Sequence, residues 1–433
     1  MAIEPQQVEA EIYTEEVKSE PENSDLAAQK RRNWRTVFPA PHVLLTAAIF
    51  GTLVGIGRIA LAYVFNFALT STVNMGPFGS VYSGKFNVYT HWDSGWFVNI
   101  ALHGYYTAQA TAFYPGYPLL VKLVFSLIGA KFGIYAVAVI VDWLIFIASL
   151  VAIYYATFLI FPGKGGAYVT LAYAFAPASV FSVSAYSEPL TVLLCVVAAI
   201  FFFKGRPYVG AAFASFASTT GSVGVVFGAS VALAYLIRER KWLRAIRIGA
   251  ISELGFLSYS GYLWLKFKNP FEELSAQKYW LRHVVFPFAG LFSNIKSIVL
   301  GRIHFAPLPL PATNKNMVTT WLIDDGTALV VIFLLLCFMI LALRSKSLLG
   351  VPLEWVIFAF VATVMVNSTD ITTFSTFSST EALARLLGQI FSLYPIGYAV
   401  LKRLWIVAGP IVASLVAMCM LGQALVVLDF WFT

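Results

Sequence analysis

The chain has 433 residues, of which 59% are hydrophobic and 12% charged, and its mean hydropathy of +0.78 excludes an ordinary soluble domain. Its apolar segments are long and continuous rather than alternating, so they predict an all-α polytopic membrane protein and not a barrel. The sequence has no Walker loop, dinucleotide-binding glycine fingerprint or zinc signature, and its three cysteines lie inside apolar segments. We therefore expect no cofactor, no divalent metal and no nucleic-acid partner.

The formal charge of +8 is unevenly distributed along the chain. Residues 1–29 carry eight acids and one base, a net of −7, so the other 404 residues sum to +15. This polar, acidic segment lacks the apolar residues needed to form a core, which predicts a disordered tail over 1–35. Basic residues directly before the first span, without a secretory leader, place the N-terminus in the cytoplasm. Residues 36–433 then form the membrane domain.

Basic clusters end the apolar stretches and predict the cytoplasmic side of the membrane. With that assignment the chain has about eleven transmembrane helices, of which the pair before Arg238 is short enough to be re-entrant instead. The predicted spans are 43–69, 133–161, 166–183, 188–203, 207–219, 222–237, 246–266, 323–343, 351–367, 386–401 and 405–428. Two large outer loops remain, about 70–132 and 267–322, and their aromatic residues predict helices along the membrane surface.

The first outer loop contains the polar island Tyr89-Thr-His-Trp-Asp-Ser-Gly-Trp-Phe97. Its carboxylate, Asp93, lies between Trp92 and Trp96, whose spacing predicts a surface helix over 92–103 with an aromatic face among lipid headgroups. In the first turn of that helix the carboxylate stays ionised, as a base at the membrane surface requires. Simple capping of the helix is the alternative interpretation of Asp93.

Other acids outside the tail are few, because only thirteen remain there. Glu188 follows a turn and is expected to cap the next helix, while Glu239 and Glu354 lie among basic residues near the cytoplasmic ends and are expected to be solvated or to have a topological role. Asp142 and Glu253 lie inside predicted spans, where each needs a partner or a proton; for Asp142 we favour a polar clamp between helices.

Basic residues are also scarce on the predicted outer side. Lys278 and Arg282 lie four apart in the second loop, and Arg385 begins a late span. Each is a candidate for binding an anionic headgroup or phosphate, and the planar guanidinium of arginine suits phosphate better. Snorkelling at the end of a span is the alternative, and we favour it for Lys278.

The ordered motifs resemble the PIG-V-like mannosyltransferases, the family of the second mannosyltransferase of GPI-anchor assembly, within the GT-C class of membrane glycosyltransferases. The matching segments are His91-Trp-Asp-Ser-Gly-Trp-Phe97, Ile100-Ala with Gly104-Tyr105, Ala112-Phe-Tyr-Pro-Gly-Tyr-Pro-Leu-Leu120, Ser184-Ala-Tyr-Ser-Glu188, Ala217-Ser218 with Gly224, Asn269-Pro-Phe271 with Gln277 and Trp280, and Arg385 before Pro395.

The resemblance implies a GT-C-like fold and inverting transfer of a hexose, usually mannose, from a polyprenyl-phosphate sugar to a lipid-linked or glycan acceptor. It implies that Asp93 is the catalytic base and that substrate is contacted by His91, Trp92, Trp96, Tyr114, Glu188 and Gln277. The donor phosphate would be bound by Arg385, Arg282 or Lys278. The chain departs from the family pattern at His91, where an Arg is usual, and at Gly221 and Val223, where Arg and Asn are usual. These departures predict another phosphate-binding cation and either a different substrate or an impaired enzyme.

Two other classes of function remain open from the residues. A transporter or lipid flippase could use Asp142 and Glu253, although the sequence shows no internal repeat. A noncatalytic subunit could keep the fold to bind a lipid sugar or a partner subunit. For the enzyme, the active site is expected on the extracytoplasmic or lumenal face, in the plasma membrane of a prokaryote or the endoplasmic reticulum of a eukaryote. Asn367-Ser-Thr369 is a glycosylation sequon on a predicted outer loop.

Overall fold

The structure, a computed structural model, describes residues 41–70, 89–128, 131–300, 317–371, 380 and 382–427. The predicted acidic tail over 1–35 lies outside the described residues, as do parts of both predicted outer loops. Within the described residues the protein is helical, with almost no strand, which confirms an all-α polytopic membrane protein.

Seventeen α-helices are described, and we number them in chain order. The first nine are α1 (Pro41–Thr70), α2 (Asp93–His103), α3 (Gly116–Ile128), α4 (Ile134–Ile160), α5 (Gly165–Ala174), α6 (Glu188–Phe203), α7 (Pro207–Ser218), α8 (Ser222–Glu239) and α9 (Trp242–Ser252). The others are α10 (Leu254–Phe267), α11 (Glu272–Ser275), α12 (Ala289–Val299), α13 (Met317–Ser345), α14 (Leu353–Val366), α15 (Leu383–Gly388), α16 (Leu393–Leu401) and α17 (Trp405–Val427). Three 3₁₀ helices, η1 (Gln109–Ala112), η2 (Pro177–Val183) and η3 (Ala276–Trp280), and two strands, β1 (Arg282–Val284) and β2 (Thr369–Ile371), complete the described elements.

Five helices in the described residues are long and apolar enough to cross a membrane, or six if the bent pair α5 and η2 forms one span. The five include α1, α4, α8 and α17 at nearly the predicted bounds, together with most of α13. The prediction of eleven spans is not confirmed, because several apolar segments form shorter or broken helices. The segment 166–183 bends by 77° between α5 and η2, and the segment 246–266 is interrupted at Glu253 between α9 and α10.

Small residues allow α7 and α8 to pack closely at the turn that joins them. A Cβ atom placed on Gly224 of α8 would lie 2.0 Å from the carbonyl oxygen of Ala217 in α7. Because a backbone carbonyl cannot move aside as a flexible side chain can, this contact requires glycine. Close approach through small residues is a common way for membrane helices to associate.

We expect Gly224→Ala to destabilise the protein by about 1–3 kcal/mol, because the added methyl group separates two packed backbones. This cost opposes the helix propensity of alanine, which is about 1 kcal/mol better than that of glycine. Gly57→Ala in α1 is the matched control, since a Cβ atom there meets nothing within 4 Å. Thermal unfolding in detergent micelles should show a lower Tm for Gly224→Ala and an unchanged or higher Tm for Gly57→Ala. Equal behaviour of the two variants would contradict the packing argument.

The second predicted outer loop contains several short elements in its described part. After α10 come α11, η3 and β1, and β1 pairs antiparallel with β2, which follows α14. The pairing aligns His283 with Asp370, and the sequence analysis did not predict either strand. These strands connect the second loop to the segment that precedes α15.

Two acids that we expected to be solvated are ion-paired instead. Glu354, which is 5% exposed, accepts a hydrogen bond from Arg238 at 2.7 Å, and Glu239 accepts one from Arg244 at the same distance. The solvation prediction is therefore wrong for Glu354, because α14 packs against α8 and covers it.

Candidate active site

Asp93 is the first residue of α2 and is 8% exposed. The predicted helix over 92–103 is present with nearly the same bounds, but it does not lie on a surface with a free aromatic face. Phe97, Val98, Ile100 and Ala101 are buried, so much of the helix packs into the protein. Trp92 is the N-cap residue, and the Asp93 side chain bonds to a distant residue instead of to the end of its own helix. The capping interpretation of Asp93 therefore does not describe its main contact.

The main partner of Asp93 is Arg385 on α15. An Nη1–H of Arg385 donates to Asp93 Oδ2 at 2.6 Å, across 292 residues of sequence. The two side chains are 16% and 12% exposed, so the ion pair is largely shielded from water. The structure thus places the predicted base against one of the three predicted phosphate-binding cations.

A second carboxylate, Glu188, approaches the same guanidinium. Its Oε1 lies 3.3 Å from Arg385 Nε, which is an ion-pair contact without good hydrogen-bond alignment. Glu188 is the first residue of α6 rather than its N-cap residue, which is Ser187, and its carboxylate faces Arg385. Burial lowers the pKa of Arg385, yet the Asp93 and Glu188 carboxylates raise that pKa by more, so the guanidinium stays charged. The three groups together carry a formal charge of −1.

Aromatic rings fix the guanidinium of Arg385 between the two carboxylates. Its central carbon lies 5.6 Å from the ring centre of Phe181 in η2 and 5.5 Å from that of Tyr186. Cation–π contacts of this kind are strongest where water is excluded. The Tyr186 hydroxyl also donates to the backbone carbonyl of His91 at 3.3 Å, so His91 lies next to the site. Arg385 is therefore held by rings as well as by charges.

The backbone is strained next to each element that supplies a charged group. Trp92, Ala185 and Ala382 all have positive φ angles, of 47°, 44° and 68°, although none is glycine. Such conformations cost of order 1–3 kcal/mol each and concentrate at functional sites. Trp92 directly precedes Asp93, and Ala185 and Ala382 lie three residues before Glu188 and Arg385, so a strained position lies close to each charged group.

An aromatic cluster lies along α2 beyond Asp93. Trp96 stacks on Phe113 with ring centres 5.7 Å apart, and Trp280 of η3 packs edge-on against both rings at 5.5 and 5.3 Å. The cluster joins the first outer loop to the second. Trp96, predicted to contact substrate or headgroups, thus contacts protein aromatic rings, while Trp92 packs near His91 with ring centres 5.1 Å apart.

Tyr114 and Gln277, two other predicted substrate contacts, lie beside the aromatic cluster rather than at the Arg385 ion pairs. The ring of Tyr114 packs against Tyr259 at 5.5 Å, and Gln277 donates to the backbone carbonyl of Glu273 at 3.3 Å. Glu273 is 1% exposed, and burial raises its pKa. A buried carboxylate in the second loop was not among the predicted site residues.

Two of the three predicted phosphate-binding cations, Lys278 and Arg282, do not contact Asp93. Lys278 is exposed, with its ammonium 5.1 Å from the Tyr279 ring centre, which fits the snorkelling alternative. Arg282 is the first residue of β1 and lines a small cleft together with Asn367, Asp370 and Thr380. Leu383 and Leu386 of α15 also line this cleft, but Arg385 does not. Of the three, only Arg385 contacts Asp93.

Position 221, where the family usually carries an arginine, faces the segment that follows α15. A Cβ atom on Gly221 would lie 4.0 Å from Oε1 of Gln389, four residues after Arg385. Val223 is 1% exposed in α8. Position 221 therefore lies close to the segment that directly follows the helix of Arg385.

Asp142 and Glu253 have different surroundings. Asp142 in α4 is fully buried near the turn of residues 184–186, but neither of its carboxylate oxygens has a hydrogen-bond partner in the described part of the chain, so the clamp between helices stays a prediction. Glu253 ends α9, and its Oε1 occupies the space beside Gly228 in α8. Neither contacts the Asp93 ion pair.

Arg58 is a buried cation that the sequence analysis missed. It lies in the middle of α1 with no exposed surface, and its Nε donates to Ser179 in η2 at 3.3 Å. Its Nη2 lies 3.9 Å from Cys419 Sγ. The sequence does indicate Arg58, because an arginine inside an apolar span is rare and usually functional. The predicted charged residues within the spans were acids alone, so Arg58 was not among them. Arg58 thus contacts η2 through Ser179, and Phe181 of the same element contacts Arg385.

The described residues contain no group of three His, Cys, Asp or Glu side chains placed to hold a metal ion. The arrangement instead offers one guanidinium between two carboxylates. A guanidinium can bind a phosphate by paired hydrogen bonds, and a carboxylate can accept a proton.

Residues 61–241 match the family model described as Mannosyltransferase (PIG-V), which is less than half of the chain. The matched range contains Asp93 and Glu188 but ends before Arg385. A search of curated proteins finds no match. The family match supports a PIG-V-like mannosyltransferase, and thus a membrane glycosyltransferase with mannosyl activity.

Proposed function

We propose that this PIG-V-like mannosyltransferase is an inverting enzyme that moves a hexose, mannose in the first instance, from a polyprenyl-phosphate donor to a lipid-linked or glycan acceptor. The proposal rests on the buried contact between Asp93 and Arg385, which lie 2.6 Å apart. In the proposal Asp93 is the base and Arg385 is the phosphate ligand. Such a pair suits a reaction in which a proton leaves one substrate while negative charge grows on the phosphate of another.

In the proposed reaction, the acceptor hydroxyl oxygen attacks the anomeric carbon of the donor sugar. Asp93 takes the hydroxyl proton, as a general base does. The bond from the anomeric carbon to the phosphate oxygen breaks, and its electron pair leaves with polyprenyl phosphate. Arg385 stabilises the charge on the departing phosphate, which is the role of a positioned cation in an active site. No nucleotide is needed, because the phosphate is already part of the lipid donor.

Arg385 contacts two protein carboxylates, and in the proposed reaction the donor phosphate has to share the guanidinium with them. The donor phosphate competes with Asp93 Oδ2 for the guanidinium, since both are oxygen anions that accept from the same N–H groups. Glu188 keeps its contact with Nε on the other edge of the group. Donor binding would therefore release an oxygen of Asp93 at the moment when the base is needed.

We further propose that the site faces the extracytoplasmic or lumenal side, where polyprenyl-phosphate sugars are used. The basic ends of α8 and α13, at Arg238 and Arg344, support this orientation by the positive-inside rule.

The purified protein is expected to transfer radiolabelled mannose from polyprenyl-phosphate mannose to a glycolipid acceptor and to release polyprenyl phosphate. Nuclear magnetic resonance of the product should show the opposite anomeric configuration to that of the donor. A nucleotide-linked mannose is the control donor, and no transfer from it is expected.

Binding of the donor without turnover would instead identify a noncatalytic subunit. Movement of the donor across a vesicle membrane without a product would identify a flippase. Either result would overturn the proposed function.

A further inference from the structure

Arg385 lies on a very short helix, α15. The contacts that hold α15 in place therefore also determine the position of Arg385. α15 has six residues, and its N-cap residue Ala382 has no side-chain acceptor and a φ of 68°. The first backbone N–H groups of a helix have no acceptor within the helix. The N–H of Ala384, directly before Arg385, is one of these groups and needs an acceptor from outside α15.

Asp324 of α13 supplies that acceptor. Its Oδ1 accepts a hydrogen bond from the backbone N–H of Ala384 at 2.7 Å, across 60 residues of sequence. Asp324 has no exposed surface, so water does not compete for the bond. A charge-assisted bond in such surroundings is stronger than one between neutral groups.

The neighbouring carboxylate fixes the chain just before α15. Asp325 Oδ1 accepts from the hydroxyl of Thr380 at 2.6 Å, and its Oδ2 accepts from Asn294 of α12 at 3.0 Å. Asn294 also donates to Thr380 at 2.8 Å. The adjacent carboxylates of Asp325 and Asp324 thus bind Thr380 and Ala384. Asp324 binds Ala384, the residue next to Arg385.

The other end of α15 is packed against η2. A Cβ atom on Gly388 would lie 2.3 Å from the Cβ of Ala178, so the helix touches η2 without space between them. η2 also carries Phe181, whose ring contacts the Arg385 guanidinium. With η2 on one side, the Asp324 bond is a contact that fixes α15 from the side of α13.

We propose that Asp324 is a positioning residue for the transfer reaction, acting through the Ala384 N–H to hold Arg385 against Asp93 and Glu188. The proposal rests on the proposed function, in which Arg385 binds the donor phosphate. Asp324 itself contacts neither substrate nor the reacting atoms.

Asp324→Ala removes the acceptor and is expected to lower kcat for mannose transfer from polyprenyl-phosphate mannose by about 10- to 100-fold, since misplacement by about 1 Å has effects of this order. Asp324→Asn keeps an acceptor oxygen and is expected to stay within about threefold of wild type. Asp324→Val, which fills the space without an acceptor, replaces the alanine variant if that variant does not fold.

A double-mutant cycle separates positioning from a general structural role. If Asp324 acts through Arg385, Asp324→Ala should cost little more than about twofold in an Arg385→Lys background. Ser230→Ala is the matched control, because it also removes a buried hydrogen bond within a helix, from Ser230 to Val226, far in sequence from α15. Additive losses from Asp324→Ala and Arg385→Lys would overturn the proposal.

Hydrogen–deuterium exchange of peptides covering 382–388 gives a readout that needs no activity. Exchange there should rise in Asp324→Ala but not in Asp324→Asn or Ser230→Ala. Unchanged exchange in Asp324→Ala would overturn the positioning role. If wild-type protein transfers no mannose, the proposed function fails, and this exchange still decides whether Asp324 holds the helix of Arg385.

Discussion

Asp93→Asn is expected to lower kcat for mannose transfer by about 10²- to 10⁴-fold, the usual contribution of a general base. The amide has nearly the same shape as the carboxylate but takes up no proton from the acceptor hydroxyl. It can still accept a hydrogen bond from Arg385, and Glu188 keeps its contact with the guanidinium. The loss should therefore come from chemistry rather than from collapse of the site.

Steady-state kinetics with polyprenyl-phosphate mannose, together with donor binding by the same purified protein, would test this expectation. Donor affinity should change much less than kcat, because Arg385 remains in place. Glu272→Gln is the matched control: it neutralises another acid of the outer loops, one bonded to Asn269 at 2.8 Å, and should leave kcat within about twofold. Full activity of Asp93→Asn would show that Asp93 is not the base, whatever the fold.

The sequence was sufficient to find Asp93 but not its surroundings. Tryptophans four residues apart define an amphipathic pattern, so α2 could be predicted with nearly correct bounds. The same pattern also suits a helix packed inside the protein, and Trp96 stacks on Phe113 rather than facing lipid headgroups. Periodicity shows that one face is aromatic, but it does not reveal what covers that face.

The Asp93 to Arg385 contact could not be read from the sequence, because it joins residues 292 apart through the packing of α15 on η2 and α13. Three candidate cations on the outer side were chemically similar. Only tertiary structure separates Arg385 from Arg282 at the cleft and from Lys278 on the surface. The bend of 77° after α5, which brings Phe181 to Arg385, likewise lies within an apolar run that predicts a continuous span.

Long apolar helices were the most predictable part of the fold. α1 and α4 agree with their predicted spans to within a few residues, since every backbone polar group must be satisfied within the helix in lipid. The short helix α15 is different, because a side chain from another helix completes one of its hydrogen bonds. That side chain is Asp324, and its partner is a backbone N–H on another element, which no side-chain pattern reports.

Arg385→Ala is expected to lower mannose transfer strongly and also to destabilise the protein. Removing one partner of a buried ion pair typically costs about 3–5 kcal/mol, because the other charge is left uncompensated. Here two carboxylates, Asp93 and Glu188, would lose their cation. Loss of the group that stabilises the leaving phosphate should also lower kcat by about 10²- to 10³-fold. Arg385→Lys keeps the charge but not the planar group that reaches both carboxylates, so its activity should be low and its stability intermediate.

Stability and catalysis can be separated at this site by conserving charge. Arg385→Gln combined with Glu188→Gln leaves Asp93 alone with a formal charge of −1, the same sum as in the wild-type trio. This double variant should recover most of the Tm lost in Arg385→Gln, while mannose transfer stays at least about 10²-fold below wild type. Lys278→Ala, which removes an exposed cation of the second loop, should change neither quantity by a measurable amount. Recovery of activity together with Tm in the double variant would mean that Arg385 only neutralises the carboxylates, and a different cation would have to bind the donor phosphate.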